Sequence, residues 1–133
     1  MTASKSERPV VLVVDADEGI RQAAVTFLEN EGFATLSASD GVQAFELLAD
    51  LEAPPALILL DLMMPGMDGW MFCKLRQGIR MLKETPVVGM SSASMLDLQE
   101  PMGIDALLPK PFYPKELIYL ATRLAARPRR SLS

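Results

Sequence analysis

The stretch "ALILLDLMMPGMDGW", Ala56 to Trp70, decides how the rest of the chain is read. Its first half is a short unbroken apolar run, the pattern of a strand buried on both faces of a parallel sheet. Its second half holds Pro65, Gly66 and Gly69, which mark a loop. One carboxylate, Asp61, stands where the buried strand gives way to that loop. A lone acid there is either placed for chemistry or merely solvated, and only residues from other strand ends can decide which.

Working outward, apolar runs alternate with helical patterns. "VVLVV" (Val10 to Val14) is a first strand of the same kind. "EGIRQAAVTFLENEG" follows with Ile20, Ala23, Ala24, Phe27 and Leu28 on one helical face, and Gly32 is placed to end the helix in a left-handed cap. "FATLSAS" reads as a weaker second strand. Asp40 caps a helix whose inward stripe is Ala44, Leu47 and Leu48, and Pro54 and Pro55 stop it. After the Asp61 strand, Asp68 caps a third helix expected to carry Phe72, Leu75 and Ile79 inward. "PVVGMS" and "ALLP" are the fourth and fifth strands. "PKELIYLATRLAAR" closes the chain as a helix with Leu117, Ile118, Ala121, Leu124 and Ala125 on one side. Between Ser92 and Asp105 only about a dozen residues, with Pro101 and Gly103 among them, serve as a fourth helix and its loops, so that helix is expected to be short or irregular. Strands alternating with helices imply an α/β domain, a parallel sheet with helices on both faces.

The 133 residues fit one domain with a proper core, and half of them are hydrophobic. A net charge of -4 argues against general nucleic-acid binding. The single cysteine, Cys73, fits a reducing compartment and reads as a small buried hydrophobe. The polar start, Met1 to Arg8, is not a signal peptide, and "ALILL" is too short to span a membrane, so a cytoplasmic location is expected. The chain contains no histidine, which removes imidazole bases and His-ligated zinc. Chemistry must rest on carboxylates, hydroxyls and lysines.

In doubly wound sheets the ligand site lies beyond the carboxyl ends of the strands. The residues there are Asp15, Ala16 and Asp17, then Asp61, then Ser91 and Ser92, then Lys110. Phosphoryl transfer to Asp61 asks mainly for positioning and charge neutralisation. Asp15 and Asp17 would repel Asp61 unless a cation sat among them, and magnesium suits such hard oxygen ligands. Lys110 can neutralise phosphoryl oxygens and Ser91 can hydrogen-bond one. The plainer alternative for Asp17 is a cap on the first helix.

These residues resemble a response-regulator receiver domain of the CheY-like, two-component kind, from about Pro9 to Arg127. The resemblance rests on "LILLDLMMPGMDGW", "VVDADEGIR", "TPVVGMSS" and "LPKPF". It implies a flavodoxin-like five-stranded sheet of order 2-1-3-4-5. It also implies that Asp61 takes a phosphoryl group from a sensor histidine kinase or phosphotransfer protein, with Lys110 the lysine and Ser91 the switch hydroxyl of the site. Magnesium would be held by Asp15, Asp61 and the main-chain carbonyl of Met63, with Asp17 as a further candidate. Met63 and Ala93 would line the mouth, and the Lys110–Pro111 bond would be cis.

Three departures matter. Ala16 stands where the family carries the second acid of a pair, which implies weakened magnesium binding. Leu107 stands where the family has a switch aromatic. The fourth helix is shortened. The leading expectation is a stand-alone receiver that signals by protein–protein contact and is not an enzyme in its own right. The alternative is a pseudo-receiver, the same fold used as a phosphorylation-independent module. A haloacid-dehalogenase-type phosphatase, with Asp15 as nucleophile and Asp17 as acid/base, lacks the acidic pair it would need near "LLPKPF" and leaves Asp61 unexplained. Residues 1–8 are expected to form a disordered tail, residues 9–127 the receiver domain, and residues 128–133 a basic tail.

Overall fold

The computed structural model describes residues 8–92 and 103–125. Five strands, β1 (Val10–Val14), β2 (Ala34–Ala38), β3 (Leu57–Asp61), β4 (Val87–Ser91) and β5 (Ala106–Pro109), form one sheet in the order β2-β1-β3-β4-β5. All four pairings are parallel. The described helices are α1 (Glu18–Asn30), α2 (Gly41–Ala49), α3 (Gly69–Gln77) and α4 (Pro114–Ala125), the closing helix, with a 3-10 turn at Arg80–Leu82. The expected doubly wound order is therefore the observed one.

The unbroken apolar runs have a direct cause. Successive side chains of a strand point to opposite faces, so a central strand covered on both sides has no polar position. Val11, Val13, Leu57 and Leu59 pack with Ala24 and Leu28 of α1 and Leu117 and Ala121 of α4. Leu12, Val14, Ile58 and Leu60 pack with Ala44 and Leu48 of α2 and Phe72 and Cys73 of α3. Phe45 and Phe72 stack at 4.6 Å between ring centroids and join α2 to α3. Burial pushes the Cys73 thiol up to about 11, so it packs as an apolar group.

Helix ends obey the local chemistry. The carboxylates of Asp17, Asp40 and Asp68 accept from the N–H groups of Ile20, Gln43 and Met71, each three residues on. Gly32, at φ 97, ends α1: its N–H donates to the Glu29 carbonyl, and that of Phe33 to the Leu28 carbonyl. Only a residue without Cβ adopts that φ freely, and Phe33 then closes over Leu28 in the same core.

One expectation fails. α3 does not carry Leu75 and Ile79 inward; they are 45% and 36% exposed. The helix ends at Gln77, which leaves Ile79 beyond it, and its buried stripe runs through Gly69, Phe72, Cys73 and Arg76. That i, i+3, i+4, i+7 spacing turns Leu75 away from the sheet. Arg76 takes the position an apolar residue would hold, because its guanidinium donates to the Thr85 carbonyl, while the Thr85 hydroxyl donates to the Pro55 carbonyl at 3.1 Å. The expected short fourth helix, the role given to Ala93 and nearly all of both tails lie outside the described residues.

Candidate functional site

Strand register builds the site. Val14 pairs with Leu60, so Asp15 and Asp61 leave neighbouring strands at the same level. Ser91 pairs with Pro109, which sets Lys110 one residue beyond the rim on β5. The Lys110 N–H donates to the Ser91 carbonyl at 2.7 Å and fixes that strand end. The bond between Lys110 and Pro111 is cis, as the resemblance implied.

Three side chains converge. The Lys110 ammonium lies 2.7 Å from Asp15 Oδ2 and 3.4 Å from Asp61 Oδ2. Asp15 is completely buried, Asp61 is 7% exposed and Ser91 4%. Asp15 Oδ1 accepts from the Asp17 N–H at 2.8 Å, which folds the start of the β1–α1 turn around the carboxylate. Asp61 Oδ1 accepts from the Met63 N–H at 3.1 Å. Asp15 Oδ2 meets the ammonium but no other donor among the described residues. The loop after Asp61 is closed by the Gly69 N–H donating to the Leu62 carbonyl at 3.0 Å, and a Cβ on Gly69 would lie only 2.8 Å from the Leu62 Cα. Gly69 is thus required by close approach.

Burial pushes the Asp61 carboxyl above its ordinary value; the Met63 N–H opposes this, the Asp15 charge adds to it, and Lys110 offsets part. A raised folded-state value means the proton is held more tightly in the fold than in the unfolded chain. The contribution of Asp61 to stability is therefore present in acid, below the ordinary carboxylate range, and is lost as pH rises through the raised value. At neutral pH its ionised form is a net cost. Asp61→Asn is expected to raise stability by about 1 kcal/mol at pH 7, and the gain should vanish below about pH 4. Urea unfolding of both proteins at the two pH values checks this; equal stability at neutral pH would contradict it.

Asp15, Asp61, Ser91 and Lys110 are thus brought together at the rim. Asp17 follows on the adjoining turn, where one oxygen of its carboxylate accepts from the Ile20 N–H at 3.0 Å and caps α1. No three acids, cysteines or histidines among the described residues gather as a metal-binding group. A buried carboxylate oxygen short of donors beside a second carboxylate still fits a hard cation that completes its shell with water. Sequence reasoning missed Arg21, whose guanidinium donates to the Asp15 main-chain carbonyl at 2.8 Å. Its position four residues after the Asp17 cap was the available signal.

A family model for the response regulator receiver domain matches residues 11–122. The chain belongs to that family. The receiver is 36% identical to the DNA-binding response regulator MtrA of Mycolicibacterium paratuberculosis over 129 residues, 93% of this chain and 53% of that protein. It thus spans about half the length of the mycobacterial relatives it matches. Protein PilG of Pseudomonas aeruginosa is 36% identical over 111 residues, 81% of each chain. The chemotaxis response regulator CheY4 of Vibrio cholerae superposes with a TM-score of 0.80 at 29% identity, covering 88% of this chain and 98% of that one. Receivers are signalling domains of two-component systems, and they generally bind Mg2+ at the phosphorylation site. No helix among the described residues is long and apolar enough to cross a membrane.

Proposed function

We propose that this receiver accepts a phosphoryl group on Asp61 from a sensor histidine kinase or a phosphotransfer protein and passes the signal on by protein–protein contact. The observation that carries the reading is the Lys110 ammonium held between two buried carboxylates, at 2.7 Å and 3.4 Å, on the rim of the sheet. A carboxylate oxygen of Asp61 attacks the phosphorus; the new O–P bond forms as the donor's N–P bond breaks, and the electron pair leaves with the imidazole nitrogen. Lys110 turns from the carboxylates to the phosphoryl oxygens, and the Ser91 hydroxyl donates to one of them. Asp15 orients Lys110 before transfer. Magnesium, when bound, neutralises charge on the phosphoryl oxygens. Asp15, Asp61 and the main-chain carbonyl of Met63 are its proposed donors, and the uncapped oxygen of Asp17 a further candidate.

Ala16, which is exposed beside Asp15, supplies no carboxylate, so magnesium binding is weakened. Ala16→Asp is expected to tighten it about tenfold, read by calorimetric titration; unchanged affinity would remove Ala16 as the cause. The same residue favours the second reading, a pseudo-receiver that binds partners without phosphorylation. The receiver spans residues 9–127 in this proposal, works in the cytoplasm and, with its net charge of -4, makes no nucleic-acid contact of its own. A stand-alone receiver is favoured by the 81% coverage of Protein PilG and opposed by the 53% coverage of MtrA. The intact mass of the endogenous protein decides that point.

A further inference from the structure

Of the exposed large hydrophobic residues described, Leu75 and Ile79 line one groove between α2 and α3, and Val42 and Met71 lie on the same two helices outside it. Apolar surface gathered on one side of a domain, in place of single scattered residues, marks contact with a partner. Between the carboxyl-terminal halves of α2 and α3 runs an open groove of about 610 Å³, lined by Phe45, Leu48, Leu51, Leu75, Ile79 and Met81 among others. It lies on the helices themselves and shares no lining residue with the phosphorylation rim.

The walls differ in charge. On the α2 side Glu46, Asp50 and Glu52 are exposed; on the side of α3 and the turn after it, Lys74, Arg80 and Lys83 are exposed. Among the described residues none of these six takes part in an ion pair. An apolar floor between an acidic wall and a mainly basic one, interrupted by the exposed Glu84, matches an amphipathic helix carrying bases along one flank of its apolar stripe and acids along the other. A groove takes a convex helix more readily than a second copy of the same concave surface.

We infer that the α2–α3 groove is a docking site for an amphipathic helix of a partner protein with mixed-charge flanks. The site lies apart from the rim on which phosphoryl acceptance is proposed.

The test is amide-shift NMR on the full chain, titrated with a synthetic helical peptide that carries a leucine stripe, lysines on one flank and glutamates on the other. The expected result is saturable shifts confined to residues around Phe45, Leu75 and Ile79, with affinity falling about tenfold in Leu75→Glu. Lys74→Glu with Arg80→Glu, at exposed positions that leave the core intact, should weaken binding as well. A peptide with the same stripe and glutamates on both flanks should bind more weakly. Absence of saturable shifts, equal binding of the two peptides, or shifts at the same residues on raising protein concentration alone would each overturn the inference, the last by making a second copy the occupant.

Discussion

Lys110→Met is expected to destabilise the receiver by about 3 kcal/mol at neutral pH. The ammonium is the counter-ion of a carboxylate with no exposure at all and lies 3.4 Å from a second one. Methionine keeps the length and the apolar stem but leaves Asp15 and Asp61 facing one another. Removing one partner of a buried pair costs far more than the pair itself contributes, because an unbalanced charge remains out of water. Two features identify the cause. Acid should narrow the gap, since protonation of Asp61, whose carboxyl is already held above its ordinary value by burial, relieves the repulsion. Asp61→Asn in the Lys110→Met background should recover part of the loss, because the two sites share one interaction. Urea unfolding of the four proteins measures both. A loss within the roughly 0.5 kcal/mol of an ordinary surface substitution would mean that the lysine is solvated and the rim is not electrostatically coupled.

Asp15→Asn is expected to lower magnesium affinity between about 10-fold and 100-fold, and phosphoryl uptake at limiting magnesium should fall with it. The asparagine oxygen can still accept from the Asp17 N–H, so the turn that Asp15 now folds at 2.8 Å persists. What changes is the other oxygen, replaced by an NH2 group that points a donor at the ammonium. Lys110 then moves toward Asp61 and neutralises the nucleophile. Calorimetric titration gives the affinity, and circular dichroism establishes that the fold is unchanged. Magnesium affinity equal to wild type would show that Asp15 acts only as a structural partner of Lys110.

Much of this molecule was legible in its sequence, for identifiable reasons. Strands buried on both faces cannot hide their composition, so "VVLVV" and "LILLD" announced a covered parallel sheet. Residues that end such strands or follow them by one step must lie on its rim, as Asp61 and Ser91 do in the first way and Asp15 and Lys110 in the second. Capping by Asp40 and Asp68 depends only on neighbours three residues away, which local sequence displays. Features that depend on distant partners were not legible. The inward position of Arg76 requires the carbonyl of Thr85, across the turn from its helix, and no periodicity of α3 reveals it. Because Arg76 is charged, its place in the stripe was given to Leu75, which instead faces a groove. The closer approach of Lys110 to Asp15 than to Asp61 likewise arises only when three strand ends meet.

In the proposed function Asp61 works as a phosphoacceptor although Ala16 leaves the rim one carboxylate short. Intact-mass spectrometry after incubation with magnesium and acetyl phosphate, on wild type beside Asp61→Asn, tests it most directly. Wild type is expected to gain one phosphoryl group and the variant none. No gain in wild type, restored by Ala16→Asp, would contradict it and leave a receiver fold that binds its partners without phosphorylation.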